Sequence, residues 1–311
     1  MYFPYMRGKQ FELSGLVDRL DLIRQSALLP IIEPVSPARV TENNFKKLLD
    51  GKVPFILIVN PQVGKLIDDT EPLKRAILAS IESEKSGFAY IIHSETKRAD
   101  VEKFLKNFKS PKKSLIHKYE FDPIGDIVKL CNDYEVQYHV FCKGKVSDDY
   151  PTIFGKTNSV IVEDGFNRQG AKKNAEYSAE EFFSNLHNTY RSSGHVGFGD
   201  FLIVGDRFSE GGGAYAVAIH LTYLRPNQNS STKELRVKHF VSKDTVGRTD
   251  IAGKFRQALK KLLDKSETDP DILQSQAIDE FKSLYQSNHF PGLGKVKEIS
   301  MKHHLELVAN L

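Results

Sequence analysis

Several side chains capable of acid–base or metal chemistry follow apolar runs of the sequence or lie within them. The candidate catalytic residues are Glu33, His93, Lys143, Glu163, Asp164 and His220. Carboxylates, imidazoles and an amine on one rim would supply general acids and bases, or ligands for a divalent metal. Asn60 ends another apolar run, and we expect it to contact substrate. The alternative for any single residue is a strand that ends in a polar side chain where it reaches water.

Glu33 has the most constrained setting of these residues. It ends the run Leu-Pro-Ile-Ile-Glu-Pro, between two prolines that stiffen the backbone. A fixed carboxylate suits a general base or a metal ligand. The alternative is a structural glutamate that accepts backbone N–H groups or pairs with Arg7 or Lys9.

Two loops carry signals for anion binding. Gly211, Gly212 and Gly213 offer bare backbone N–H groups, in a region where many α/β barrels hold a phosphate. The basic stretch 165–174, which includes Arg168, could grip an anionic substrate; the alternative is a solvated loop. Neither the dinucleotide-binding nor the P-loop glycine motif occurs in the sequence.

The elements that must position these residues alternate between β and α. Uniformly apolar runs predict strands over 29–33, 54–60, 87–93, 114–120, 136–142 and 159–163, and amphipathic patterns predict helices over 41–49, 71–85, 98–109 and 123–134. Runs that are apolar throughout suit strands covered on both faces. The pattern predicts an α/β fold with a TIM-like (β/α) barrel; an open doubly wound sheet is the alternative.

The pattern changes after the sixth predicted strand. Ser178 and Glu181 have capping-box spacing and predict a helix. Strands are predicted over 200–205, 214–224 and 234–242; the first two complete eight barrel strands, and the last two form an antiparallel hairpin. Asp269-Pro270 predicts the start of a helix to about Gln286, and a last helix runs to about Asn310. We expect a barrel domain over 1–245 and C-terminal helices over 246–311 packed on it.

Composition narrows the class of protein. The chain has 311 residues, a formal net charge of +4 and 27% charged residues, so a protein that coats nucleic acid is not indicated. Its two cysteines, Cys131 and Cys142, cannot form a disulfide framework. No signal-peptide pattern or membrane-spanning run occurs, so we expect a cytoplasmic protein.

Blocks of sequence along most of the chain carry a family resemblance. They are Tyr2-Phe3-Pro4-Tyr5 with Arg7-Gly8-Lys9-Gln10-Phe11-Glu12, residues 29–34, 59–61, 163–167, 197–201, 216–221 and 238–242. On these blocks the chain resembles an uncharacterised bacterial family with a systematic locus name, and it is distantly similar to the phage beta protein family. The resemblance implies a barrel-like fold and a nuclease-like protein encoded nearby, in a phage-defence or mobile-element locus. It brings no active-site residues to this chain.

Two functional hypotheses follow. The first is a hydrolase or phosphodiesterase acting on a phosphate-bearing or other polar small substrate, with a divalent metal as a candidate cofactor. In it Glu33, Glu163 and Asp164 act as acid–base groups or metal ligands, and His93, Lys143 and His220 orient or neutralise substrate. The alternative is a non-catalytic recognition subunit that binds a partner protein or, secondarily, nucleic acid.

Overall fold

A computed structural model shows an eight-stranded parallel barrel and a separate three-stranded antiparallel sheet with C-terminal helices. It describes residues 1–37, 39–67, 71, 86–107, 112–169, 174–209, 215–227 and 231–311. Two compact units divide the chain: 1–164 with 189–201, and 165–188 with 202–311. The expected boundary between residues 245 and 246 falls inside the second unit.

The first unit contains the barrel strands in sequential order. They are β1 (Tyr5–Met6), β2 (Ile31–Ile32), β3 (Phe55–Ile58), β4 (Ser86–Ile92), β5 (Lys113–His117), β6 (Tyr138–Cys142), β7 (Ser159–Glu163) and β9 (Gly197–Asp200). Each pairs in parallel with the next. Helices α1 (Gln10–Val17), α2 (Leu20–Gln25), α3 (Arg39–Asp50), α4 (Arg98–Asn107) and α5 (Ile124–Asp133) lie between the strands in the chain. The prediction of a TIM-like barrel is confirmed.

The barrel is nearly closed where β9 meets the first residues of the chain. The Phe3 amide donates to the Phe198 carbonyl at 2.8 Å, and the Phe198 amide donates to the Met1 carbonyl at 3.1 Å. A Cβ atom on Gly199 would lie 2.1 Å from the Phe3 carbonyl oxygen, so only glycine fits there. The barrel interior is filled by an apolar cluster that includes Phe3, Tyr5 and Phe201.

The second unit pairs β10 (Ala218–Pro226) with β11 (Lys233–Val241) and β11 with β8 (Glu180–Ser184), all antiparallel. The predicted hairpin is confirmed. Helices α6 (Leu186–Thr189), α7 (Ile251–Thr268), α8 (Gln276–Gln286) and α9 (Leu293–Ala309) complete the described helices. Apolar side chains of α7, α8 and α9 form one cluster with β10 and β11.

A histidine of α9 completes the hydrogen bonding of edge strand β10. His303 Nε2 lies 2.8 Å from the Thr222 carbonyl, which can only accept, so Nε2 carries the proton. Its Nδ1 therefore accepts from the Ser275 hydroxyl at 2.7 Å. Burial lowers the pKa of His303 to about 4, so the ring is neutral at neutral pH.

Two predicted barrel strands were placed wrongly. The predicted strand 200–205 ends at Asp200, because 202–204 forms a 3₁₀ helix. The predicted strand 214–224 belongs to the antiparallel sheet, where β11 supplies its partner. The place it was given in the barrel is taken by β1, a two-residue strand too short to show periodicity.

One predicted helix was wrong, and a second begins later than predicted, although it ends at Gln286 as expected. The Ser178 hydroxyl does donate to Glu181 Oε1 at 3.0 Å, but this is a bond between side chains and not a capping box, and the backbone from Glu180 is strand β8 because β11 pairs with it. Asp269 follows the end of α7 rather than opening a helix, and α8 starts after the cap residue Ser275. The last helix is confirmed. The predicted helix 71–85 lies outside the described residues beyond Glu71.

Both cysteines are free thiols. Over the described ranges, no helix has the length and apolar character needed to cross a membrane.

Candidate functional site at the barrel mouth

Glu33 stands at the carboxyl end of β2 and is completely buried. Ile31 belongs to the barrel interior, and alternate residues of a strand share a face, so Glu33 lies on the same inward face two residues later. Its Oε1 accepts the Gln62 amide at 2.7 Å. Its Oε2 accepts the Tyr5 hydroxyl at 2.6 Å and the Arg7 guanidinium. A carboxylate held by this many donors is fixed in orientation.

Two cations flank the same oxygen of Glu33. Arg7 follows β1 and pairs with Oε2, and Lys118 follows β5 with its Nζ 3.9 Å from that oxygen. The Arg7 side chain is 6% exposed and the Lys118 side chain 15%. Lys118 is therefore the more accessible of the two cations at this end of the barrel.

Two aromatic rings pack against both cations. Tyr5 and Phe201 pack with ring centroids 4.8 Å apart. Lys118 Nζ lies 4.7 Å from the Tyr5 ring centroid, and the Arg7 guanidinium carbon lies 5.2 Å from it. Burial, followed by the Glu33 charge, raises the pKa of Tyr5 well above its usual range. Tyr5 therefore remains a proton donor to Glu33, and cation–π attraction adds to the positioning of both cations.

The remaining candidates of the barrel lie at strand ends, and most have local partners. Lys143 Nζ pairs with Glu163 Oε1 at 2.5 Å across β6 and β7. Asn60 bonds both backbone groups of Ile91, donating at 2.9 Å and accepting at 2.8 Å, so it extends the β3–β4 pairing. His93 Nδ1 accepts the Glu95 amide at 3.3 Å. Asp164 is exposed.

Three predicted site features belong to the second unit. His220 Nδ1 lies 2.8 Å from His239 Nδ1, under the rings of Phe166 and Tyr177. Burial and the neighbouring His239 lower the pKa of His220 well below its usual range. Arg168 donates to the Arg207 carbonyl at 2.7 Å and to the Ser209 hydroxyl at 2.6 Å, so it ties two loops together. The glycines 211–213 lie outside the described residues.

A second histidine pair, which the sequence did not reveal, lies on neighbouring barrel strands. His117 Nε2 is 3.1 Å from His139 Nδ1, and His117 Nδ1 is 3.3 Å from the Tyr150 hydroxyl. Burial lowers the pKa of His139 to about 4. Single histidines in two separate strands give no spacing signal, so only the strand pairing brings them together.

Lys118 is a site residue that the sequence analysis did not identify, although the sequence contains a signal for it. The strand predicted over 114–120 includes Lys118, whereas β5 ends one residue earlier, at His117. The inward series Ser114, Ile116 and Lys118 continues the barrel-facing alternation and would have found it.

The described ranges contain no group of three or more His, Cys, Asp or Glu side chains arranged to hold a metal ion. The divalent metal therefore stays a prediction from the sequence.

The fold and the polar strand ends define a TIM-like barrel protein with cations at its mouth. No protein-family model matches the chain, and no curated protein matches it. Among solved structures, it is similar to a crystal structure of N-acetylneuraminate lyase from Mycoplasma synoviae, with a TM-score of 0.39 and 11% identity, over 64% of this chain and 68% of that chain. A likeness this distant carries no argument about function.

Proposed function

We propose that the barrel mouth binds a small substrate bearing a phosphate or another anionic group, and that the protein is a hydrolase or phosphodiesterase. The observation that carries the proposal is the convergence of Arg7 and Lys118 on Glu33. It lies at the carboxyl ends of the parallel strands, where α/β barrels place their ligands.

The cations of the cluster could attract an anion. Arg7 and Lys118 both face Glu33, and Lys118 is the more accessible of the two. Fixed cations stabilise negative charge that develops on a phosphoryl or acyl oxygen during reaction. We assign Glu33 the role of holding the cations, because its oxygens already accept from Tyr5, Arg7 and Gln62. This differs from the general-base role expected from the sequence.

The Lys143–Glu163 pair supplies a third cation, on the neighbouring strands. The Lys143 side chain is 49% exposed, so it can exchange Glu163 for a substrate anion. Glu163 would then be released to act as a general base, as the sequence hypothesis requires.

Ligand binding and turnover test the proposal separately. Inorganic phosphate and bis(p-nitrophenyl) phosphate should raise the Tm of the wild-type protein, because a ligand that binds only the folded state stabilises it. The rise should disappear in Lys118→Met and persist in Lys103→Met, an exposed lysine on α4. Release of p-nitrophenolate should follow the same pattern.

Each negative outcome has a distinct meaning. An equal rise in Lys118→Met would show that phosphate binds elsewhere, which contradicts the assignment of the site. Binding without release of p-nitrophenolate would contradict the hydrolase and support the non-catalytic alternative.

A further inference from the structure

We propose that the cavity beside α7 in the second unit binds a small organic carboxylate with one apolar ring. The cavity has a volume of about 260 Å³ and lies between α7 and the segment that ends α8. Sites for drug-sized ligands span roughly 300–1,000 Å³. The occupant is therefore smaller, no larger than one ring with a short side chain.

The cavity has an apolar part, which could cover one ring, beside a polar part that includes Arg256, Asn288 and His289. Phe255 and Leu259 are 2% and 1% exposed, and Leu284 and Phe290 complete the lining on the other side. The Phe255 and Phe290 ring centroids are 5.3 Å apart at 42°. Such a lining favours a flat apolar body over a sugar or a bare ion.

The guanidinium of Arg256, an exposed residue that lines the cavity, supplies the polar recognition. Arg256 Nη1 donates to Asn288 Oδ1 at 2.6 Å and to the Tyr285 carbonyl at 3.2 Å, and its carbon atom lies 4.4 Å from the Tyr285 ring centroid. These contacts hold the group in place beforehand, which lowers the entropy lost on binding.

Both hydrogen bonds of Arg256 use Nη1, and its Nε and Nη2 donate to no atom of the described residues. These two nitrogens form the edge of the guanidinium that grips a carboxylate with two parallel hydrogen bonds. None of the described residues that line the cavity has a carboxylate side chain, so the charge of the cavity favours an anion over a cation.

Calorimetric titration of the full chain with phenylacetate tests this assignment. Phenylacetate should bind saturably, whereas phenylacetamide, which lacks the charge, and acetate, which lacks the ring, should each bind about tenfold or more weakly. Equal affinity for phenylacetate and phenylacetamide would overturn carboxylate recognition. The absence of saturable phenylacetate binding at millimolar concentrations would overturn the site.

Three variants locate the binding. Arg256→Met keeps the apolar stem and removes the charge, so phenylacetate should bind about tenfold or more weakly. Ala252→Trp fills the cavity from an exposed position and should abolish binding. Lys260→Met, a further exposed cation of α7, should bind as the wild type does.

Unaltered binding in Ala252→Trp, with the protein folded by circular dichroism, would show that phenylacetate binds elsewhere and would overturn the proposal. Because these variants lie in the second unit, their outcome is independent of phosphate binding at Lys118.

Discussion

Glu33 and Glu180 each pair with more than one cationic side chain, and the two carboxylates differ mainly in their exposure to water. Glu33 of the barrel is completely buried beside Arg7 and Lys118. Glu180 of β8 is 28% exposed and pairs with Arg225 and Lys238. Removing one partner of a buried ion pair costs much stability, because the remaining charge has no water to solvate it. A partly exposed charge can replace a lost partner with water. Glu33 is therefore the more rigid centre, and Glu180 the more tolerant one.

Glu180 is partly exposed, but several hydrogen-bonding and charged partners together keep its pKa low. Burial alone would raise its pKa, but hydrogen bonds from Tyr223 and Lys238, with the charges of Lys238 and Arg225, lower it to about 2. Lys238 also pairs with Asp269 at 3.2 Å and lies 3.8 Å from the Tyr223 ring centroid. This network joins the antiparallel sheet to the end of α7.

The largest effect is expected for Glu33→Gln. The substitution leaves the buried Arg7 and the partly buried Lys118 without the charge of Glu33, and it should lower the free energy of unfolding by about 3–5 kcal/mol. Urea denaturation followed by circular dichroism measures this. A loss below about 1 kcal/mol would show that water reaches the cluster, so that it resembles Glu180.

The next effect is a pH dependence from the buried histidines. The pKa values of His139 and His303 are held at about 4, below their ordinary 6.5. The unfolded chain therefore binds more protons between these values, and stability falls as the pH drops from about 6.5 to 4. Each histidine contributes a slope of about 1.4 kcal/mol per pH unit at most.

Urea midpoints measured across this pH range check the slope. His139→Gln keeps a polar side chain but no longer titrates, so the slope should become shallower. A slope equal to that of the wild type would show that His139 already binds its proton in the folded state.

Glu180→Gln should have a smaller effect, of about 1–2 kcal/mol at neutral pH, because solvent screens its half-exposed partner Arg225. The folded pKa near 2 lies below the ordinary 4.5, so the stabilisation is present above about pH 4.5 and is lost as the pH falls towards 2. Acid denaturation should therefore become less steep in the variant. An unchanged acid transition would contradict the strong pairing of Glu180.

The smallest effect is expected for Lys260→Met. Lys260 pairs with Asp264 one turn along α7, and the side chains are 59% and 62% exposed. Because solvent screens such exposed pairs, they contribute almost nothing to the free energy of unfolding, and the urea midpoint should not change. A clear shift would mean that exposure is not what separates the two carboxylate clusters.

The sequence predicted the parts of this fold that local pattern encodes. The apolar cores of β3 to β7 were predicted because strands covered on both faces are rich in apolar residues, even though β5 and β6 also contain buried polar side chains. β1 was missed because two residues show no period, and its role depends on a partner strand far along the chain. β8 was predicted as a helix because Ser178 and Glu181 have capping-box spacing, whereas pairing with β11 determines the backbone conformation.

The site was predictable to a similar degree. Strand-end position identified Glu33, and the structural alternative of pairing with Arg7 is the contact observed. Lys118 needed the true end of β5, and the depth of burial around Glu33 needed the closed barrel. Convergence of side chains from different strands depends on register, which a single sequence does not encode locally.

The path of the chain between the two units limits how recombination or truncation of the gene can separate them. After seven barrel strands the chain contributes β8 to the second unit, returns for β9, and then leaves again. No single cut separates the two units, so one crossover between genes cannot exchange either of them intact. A chain cut after Phe201 would keep every barrel strand together with β8 but lose β10 and β11, the strands that β8 needs as partners.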